Sequence, residues 1–214
     1  MKTKFQHFSS VLTILSAAIL LTIYLAWIFY PLEIKFLDLE KVVYMKAEEI
    51  LYNYNILLNY LTNPFQQVLD MPSFSSSPDG LHHFQQVKWI FHLVQALFLF
   101  SLPGSIAFFK GVLQKGYGDL YRKTYIWMAI IPLLLGAIGL LIGFNAFFTL
   151  FHQILFVGDS TWLFNPNTDP VIYILPEIFF LHCFVLFFLL YEAFTNLVLL
   201  YIRKKRKKRN FVNQ

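Results

Sequence analysis

The chain has 214 residues, of which 57% are hydrophobic and only 14% charged, with a formal net charge of +5 and a mean hydropathy of +0.57. Soluble globular domains carry about a quarter charged residues, so this composition excludes an ordinary soluble domain and predicts an all-α polytopic membrane protein. A single cysteine, Cys183, excludes an internal disulfide and any multi-cysteine metal site. The first predicted element is a span over about residues 10–30, ending at Pro31. It follows a basic start, "MKTK", and runs too long for the short apolar core of a signal peptide, so an uncleaved span is expected. Next comes an outer segment, 31–86. Its first part is amphipathic, with Leu51, Tyr54, Leu58 and Leu61 at helical spacing and Asn55 and Asn59 offset. Residues 44–61 are a candidate cap or lid, and "MPSFSSSPDG" reads as loop. A second span is expected over about 87–109, a third over 125–150 and a fourth over 171–202. A second outer segment, 151–170, holds the turn signals "GDS" and "NPNTDP". Residues 203–214 form a basic tail. The whole is read as one membrane domain of helices, because backbone groups in lipid must be satisfied within each span and no barrel-like alternation is present.

Basic residues set the expected orientation. Thirteen of the 17 Lys and Arg lie before span one, between spans two and three, or after span four. The other four, Lys35, Lys41, Lys46 and Lys88, fall in or beside the first outer segment. The positive-inside rule places both termini in the cytoplasm. The run "RKKRKKR" at 203–209 adjoins the end of an apolar run, so contact with anionic phospholipid is expected and nucleic-acid binding is not.

Five of the six histidines, His82, His83, His92, His152 and His182, face or approach the outer side on this topology; only His7 is cytoplasmic. Imidazole is the side chain best matched to proton transfer near neutrality. A histidine at a membrane border also serves as ordinary polar glue, and the deeper His92 and His182 fit that role best. His83 and His152, beside polar loops, are the candidates for chemistry. Asp159 and Glu177 are the acids at their level, either able to orient an imidazole, and Asp79 and Lys88 bracket His82 and His83. Aspartates such as Asp159 and Asp169 also form turns by themselves, and Glu177 is placed to cap a helix. Glu192, deep in span four, has Asn196 four residues on as a partner. Trp89 and Trp162 are interface anchors. No nucleophile elbow and no zinc helix occurs, and His83, His152, Asp159 and Glu177 have no metal-specific spacing. Spacing alone leaves two readings open. One is an enzyme with an outer-leaflet histidine site. The other is a non-catalytic lipid- or protein-binding membrane module.

Two stretches carry a resemblance. "HHFQQVKWIF" at 82–91 and "FHQILFVGDSTWLFNPNTDPVIYILPEIFF" at 151–180, with the four-span layout and the basic tail, resemble the lipoprotein intramolecular transacylases, integral membrane enzymes of low-GC Gram-positive bacteria. The second stretch is the more specific. In the first, the family pattern has an acid shortly before the histidine and then Asp-Val-Lys. Here Asp79 precedes His83 by four residues and Gln86 stands where the second acid would be. The resemblance implies acyl transfer from the sn-2 ester of a diacylglyceryl-cysteine lipoprotein to the alpha-amine of that same cysteine, giving the lyso-form lipoprotein. It implies no cofactor, water, ATP or acyl carrier. The catalytic residues would be His83 and His152, with Asp159, Glu177, Asp79 and Trp162 supporting. The site would open at the extracytoplasmic face of a bacterial cell membrane.

Overall fold

The computed structural model describes residues 2–212. Among them the regular elements are all helical: α1 (Lys2–Phe36), α2 (Leu39–Val43), α3 (Ala47–Thr62), α4 (Pro78–Phe108), α5 (Arg122–Ile142), α6 (Phe144–Leu155) and α7 (Glu177–Val212). A π-helical turn, Phe109–Leu113, extends α4, and 3-10 turns occupy Gly118–Tyr121 and Pro170–Tyr173. Among the described residues, four helices are long and apolar enough to cross a bilayer: Lys2–Phe36, Pro78–Leu113, Gly118–Ile142 and Glu177–Arg209.

Several bounds differ from the sequence reading. α1 continues through Pro31. Its neighbours Tyr30 and Ile34 are fully buried, and the Tyr30 hydroxyl donates to the Ile174 carbonyl at 2.5 Å. Packing thus outweighs the hydrogen bond that the proline removes. The third predicted span, 125–150, is broken at Gly143, whose φ of +83° only glycine adopts without strain. The apolar run is uninterrupted in sequence, yet its last part is a separate helix, α6. α7 carries the basic tail as helix as far as Val212, the last two residues of the expected tail lying outside the described residues, and Arg206 and Arg209 approach Asp119 at 3.9 and 3.2 Å.

The chain divides into two compact units. The first comprises Met1–Thr22, Val94–Leu141 and Val185–Gln214. Its core gathers Ile14, Ala18, Phe108, Tyr125, Met128 and Tyr191, and hydroxyl pairs fix its helices: Ser10 with Tyr125 at 2.6 Å and Thr13 with Ser101 at 2.8 Å. Glu192 accepts from Asn196 at 3.0 Å, the partner expected at that spacing.

The second unit comprises Ile23–Leu93 and Ile142–Phe184. α3 is central to its core rather than laid on a surface. Ile50, Tyr54, Leu57 and Leu61 are buried along one face, and Tyr54 stacks on Tyr30 with ring centroids 3.5 Å apart. The apolar stripe read from sequence is shifted by part of a turn, since Leu51 is only partly buried while Ile50 and Asn53 are fully so. Buried Asn53 is satisfied on both sides, donating to the Glu49 carbonyl at 2.9 Å and accepting from Ser73 N–H at 3.1 Å. This helix forms a packed wall of the unit's core.

The start of α4 is built by a second chain segment. Ser77 caps the helix, its hydroxyl accepting from Gly80 N–H at 3.0 Å. Asp169, itself buried, accepts from Ser77 N–H at 2.7 Å and from the Thr168 hydroxyl at 2.7 Å. A β-carbon on Gly80 would collide with the Asp169 carboxylate. Gly80→Ala is therefore expected to destabilise the protein by about 1–3 kcal/mol, the usual cost of overpacking. Thermal unfolding in detergent checks this; an unchanged midpoint would show that Asp169 is not held there.

Candidate active site

His83 and His152 come together within the second unit. His83 lies in the second turn of α4 and His152 in the last turn of α6; both are buried. Their ring centroids are 6.0 Å apart. Phe156 adjoins both, at 4.8 Å from His83 and 5.8 Å from His152, and Phe164 closes on His83 at 5.5 Å. The pair is thus walled by aromatic rings.

The loop after α6 makes this closure possible. Phe156 N–H still bonds the His152 carbonyl at 2.8 Å, and then Gly158 turns the chain at φ +78°. Asp159 organises the next turn. One carboxylate oxygen accepts from Thr161 N–H at 2.8 Å and from the Thr161 hydroxyl at 2.6 Å, a side-chain turn. Its backbone carbonyl accepts from the Trp162 indole N–H at 3.1 Å. Trp162 is thereby laid over His152, nearly parallel at 27° and 4.8 Å between centroids. Trp162, expected both as an interface anchor and as a supporting residue of the site, is stacked on a site imidazole.

The sequence offers Asp159 or Glu177 to orient His152. The geometry differs. His152 Nδ1 lies 2.8 Å from the Phe148 carbonyl, one turn back in its own helix. A carbonyl only accepts, so Nδ1 carries the proton and Nε2 keeps its lone pair. The second oxygen of Asp159 goes to α4 instead, accepting from Gln86 Nε2 at 2.7 Å and bonding His82 Nε2 at 3.0 Å. Glu177 accepts from Asn145 Nδ2 at 3.0 Å, tying α7 to α6. Asp79 is exposed in the first turn of α4, whereas His83 is buried. Lys88 donates to the Gln66 carbonyl and lies 4.3 Å over the Tyr60 ring, which fastens the loop before α4. His182, expected as polar glue, bonds Glu33 at 2.9 Å. Sequence reasoning misses Glu33, and it misses Gln86 as a member of the site. Gln86 does carry a signal, since it lies three residues from His83 and shares its helix face.

Electrostatics follow from these partners. Burial pushes the His152 imidazole below its ordinary value of 6.5, against the opposing pull of the Phe148 carbonyl. The hydroxyl and N–H of Thr161, with smaller help from Gln86 and His82, hold Asp159 well below the usual carboxylate range. A neutral base and a permanent anion therefore coexist near neutral pH. Among the described residues, no cluster of three or more His, Cys, Asp or Glu is arranged to hold a metal ion.

Fold and site together define an all-α integral membrane protein with paired, buried imidazoles. A family model for the lipoprotein intramolecular transacylase Lit matches residues 4–180. Among solved structures, the membrane-integral lipoprotein intramolecular transacylase Lit from Bacillus cereus superposes with a TM-score of 0.87 at 29% identity, covering 98% of this chain and 96% of that one. A variant of that protein with one histidine changed to arginine gives 0.80 at 28% identity, covering 99% and 93%. A variant with alanine at that histidine gives 0.80 at 28%, covering 98% and 94%. Comparison with curated proteins gives no match. The chain belongs to the lipoprotein intramolecular transacylase family, and it is an acyltransferase of the membrane.

Proposed function

We propose that His83 and His152 together carry out a direct aminolysis within one lipoprotein molecule. The alpha-amine of the diacylglyceryl-cysteine attacks the carbonyl carbon of its own sn-2 ester. A C–N bond forms, the C–O bond to the glyceryl oxygen breaks, and the acyl chain moves from oxygen to nitrogen. An alpha-ammonium must shed two protons to become an amide N–H, and the departing glyceryl oxygen must gain one. His83 takes the first proton and returns it to that oxygen. His152 takes the second as the tetrahedral intermediate collapses. No enzyme nucleophile is needed, because amine and ester are already joined in one substrate.

The observation that carries this reading is the contact of His152 Nδ1 with the Phe148 carbonyl, from which the tautomer follows. Its Nδ1–H is committed to Phe148, its Nε2 lone pair is free, and the facing imidazole lies 6.0 Å away between centroids. A reference alpha-amine has a pKa of about 7.7–8.0, close enough to imidazole for general-base catalysis. The aromatic walls supply the apolar surroundings that acyl chains need.

The basic residues support cytoplasmic termini, a site at the extracytoplasmic face and contact of the tail with anionic phospholipid rather than nucleic acid. Labelling of single cysteines placed beside His83 and His152, from outside intact cells, tests the sidedness. Mass spectrometry of lipoprotein N-terminal peptides, made with and without the protein, tests the reaction. One acyl chain moves from oxygen to nitrogen at constant mass; release of free fatty acid would show hydrolysis instead.

The lowered pKa of His152 gives a signed expectation. Protonation removes the base, so the enzyme's own contribution to the acid limb of turnover has its midpoint below pH 6.5. In stability terms, the folded protein resists protonating this ring while the unfolded chain does not. Stability therefore declines as pH falls through 6.5 and below. The substrate amine adds a separate limb nearer its own pKa. Rate–pH profiles separate the two, since only the His152 contribution to the enzyme limb disappears in His152→Gln. An enzyme limb centred above 6.5 would contradict the buried neutral imidazole.

A further inference from the structure

Gln86 is held from one side and unanswered on the other. Its Nε2 donates to Asp159 at 2.7 Å, and an ionised carboxylate can only accept. The amide is therefore fixed, with NH2 toward Asp159 and oxygen away from it. That oxygen, Oε1, is buried and makes no hydrogen bond. Three residues earlier on the same helix, His83 Nδ1 is also buried and also unbonded. Side chains at this spacing are neighbours on the helix surface. An acceptor and a potential donor, each costly to leave unmade, thus stand side by side.

We propose that Gln86 is a positioning residue for His83, with Asp159 setting the orientation of its amide. Gln86 Oε1 accepts from His83 Nδ1–H, which places the lone pair of His83 on Nε2, the nitrogen available to substrate. When that nitrogen collects the ammonium proton, the imidazolium is stabilised by the Gln86 oxygen and, through the amide, by the Asp159 anion. The chain of partners is Asp159 carboxylate, Gln86 amide, His83 imidazole. His82 bonds the same carboxylate oxygen from the exposed side and leaves the inner path intact. The inference rests on the two-histidine reading above and adds to it the tautomer of the second histidine.

A charge swap tests it. Asp159→Asn alone keeps an oxygen for Thr161 but turns an NH2 toward the Gln86 NH2. The glutamine flips, presents NH2 to His83 and moves the lone pair to the wrong nitrogen. Gln86→Glu alone sets a carboxylate against Asp159. Each single change is expected to lower kcat on the order of 10²-fold, the cost of misplacing a reacting group, with KM little altered. The double variant, Asp159→Asn with Gln86→Glu, restores the relay: the introduced asparagine donates to the introduced glutamate, whose other oxygen accepts from His83 Nδ1–H. Recovery of most of the lost kcat supports the proposal, because a merely structural role for Asp159 would be worsened by the second change. A double variant no better than the poorer single overturns it. Nitrogen-15 histidine NMR of the unaltered protein gives a second, independent test that does not depend on the charge-swap variants folding. The His83 signal, assigned by its loss in His83→Gln, should show the Nδ1–H form; the Nε2–H form overturns the proposal. If His83→Gln keeps full turnover, the two-histidine reading fails. If His83 is required and the swap does not rescue, only the relay fails.

Discussion

Replacing His152 with glutamine is expected to cut turnover by about 10²- to 10⁴-fold, the range for loss of a general acid–base group. Substrate binding should survive, because the aromatic wall around the site, Phe148, Phe151, Phe156 and Trp162, is contributed by other residues. The position is well suited to this substitution. The ring sits in the last turn of α6, where glutamine is a good helix former, and its one backbone partner lies within the same helix. Single-turnover transacylation in lipid vesicles, read by peptide mass spectrometry, separates a fall in rate from a fall in binding. Trp162→Ala serves as the control for geometry. It removes the ring stacked on His152 while leaving the base in place, so a smaller loss is expected there than from His152→Gln. Equal losses would mean that the stacking, not the imidazole, carries the effect.

The membrane architecture is legible because composition alone demands it: runs of about twenty apolar residues suit a bilayer and little else. The Glu192–Asn196 pair is legible on similar grounds, since spacing of four on a helix enforces proximity. The helix ends are less so. Pro31 and Gly143 are both helix breakers by rule, yet only the glycine breaks. The difference is tertiary: Tyr30 and Ile34, on either side of the proline, are locked in the core. His83 and His152 stand out as chemical groups beside polar loops, but their 6.0 Å separation joins positions 69 residues apart and depends on the loop after α6 folding back. The destination of Asp159 is not legible at all. Seven residues away in sequence, His152 looks like its natural partner. His152 finds a backbone carbonyl four residues back instead, which frees the carboxylate for α4. Local hydrogen bonds within a helix leave no trace in residue type. The same holds for Asp169, which reads as a turn residue and serves to anchor the first turn of α4.

His83→Gln is expected to lower turnover by about 10²- to 10³-fold, comparable to losing one group that delivers a proton or stabilises charge in the transition state. The sharper expectation concerns the two histidines together. In the proposed reaction one imidazole recycles a proton to the glyceryl oxygen and the other removes a proton from nitrogen, so neither step completes the reaction without the other. Groups that act as a unit are strongly non-additive, and a residual rate from substrate positioning remains when all are gone. The double variant His83→Gln with His152→Gln should therefore lose little more than the worse of the two singles. A loss equal to the product of the single losses would mean that the two rings act independently, and the paired proton transfers proposed for them would have to be abandoned. Both rings are buried and only 6.0 Å apart, so each single variant also opens space beside its partner. Near-unchanged thermal unfolding of the singles distinguishes lost chemistry from lost packing, and makes the non-additivity a statement about the reaction rather than about the fold.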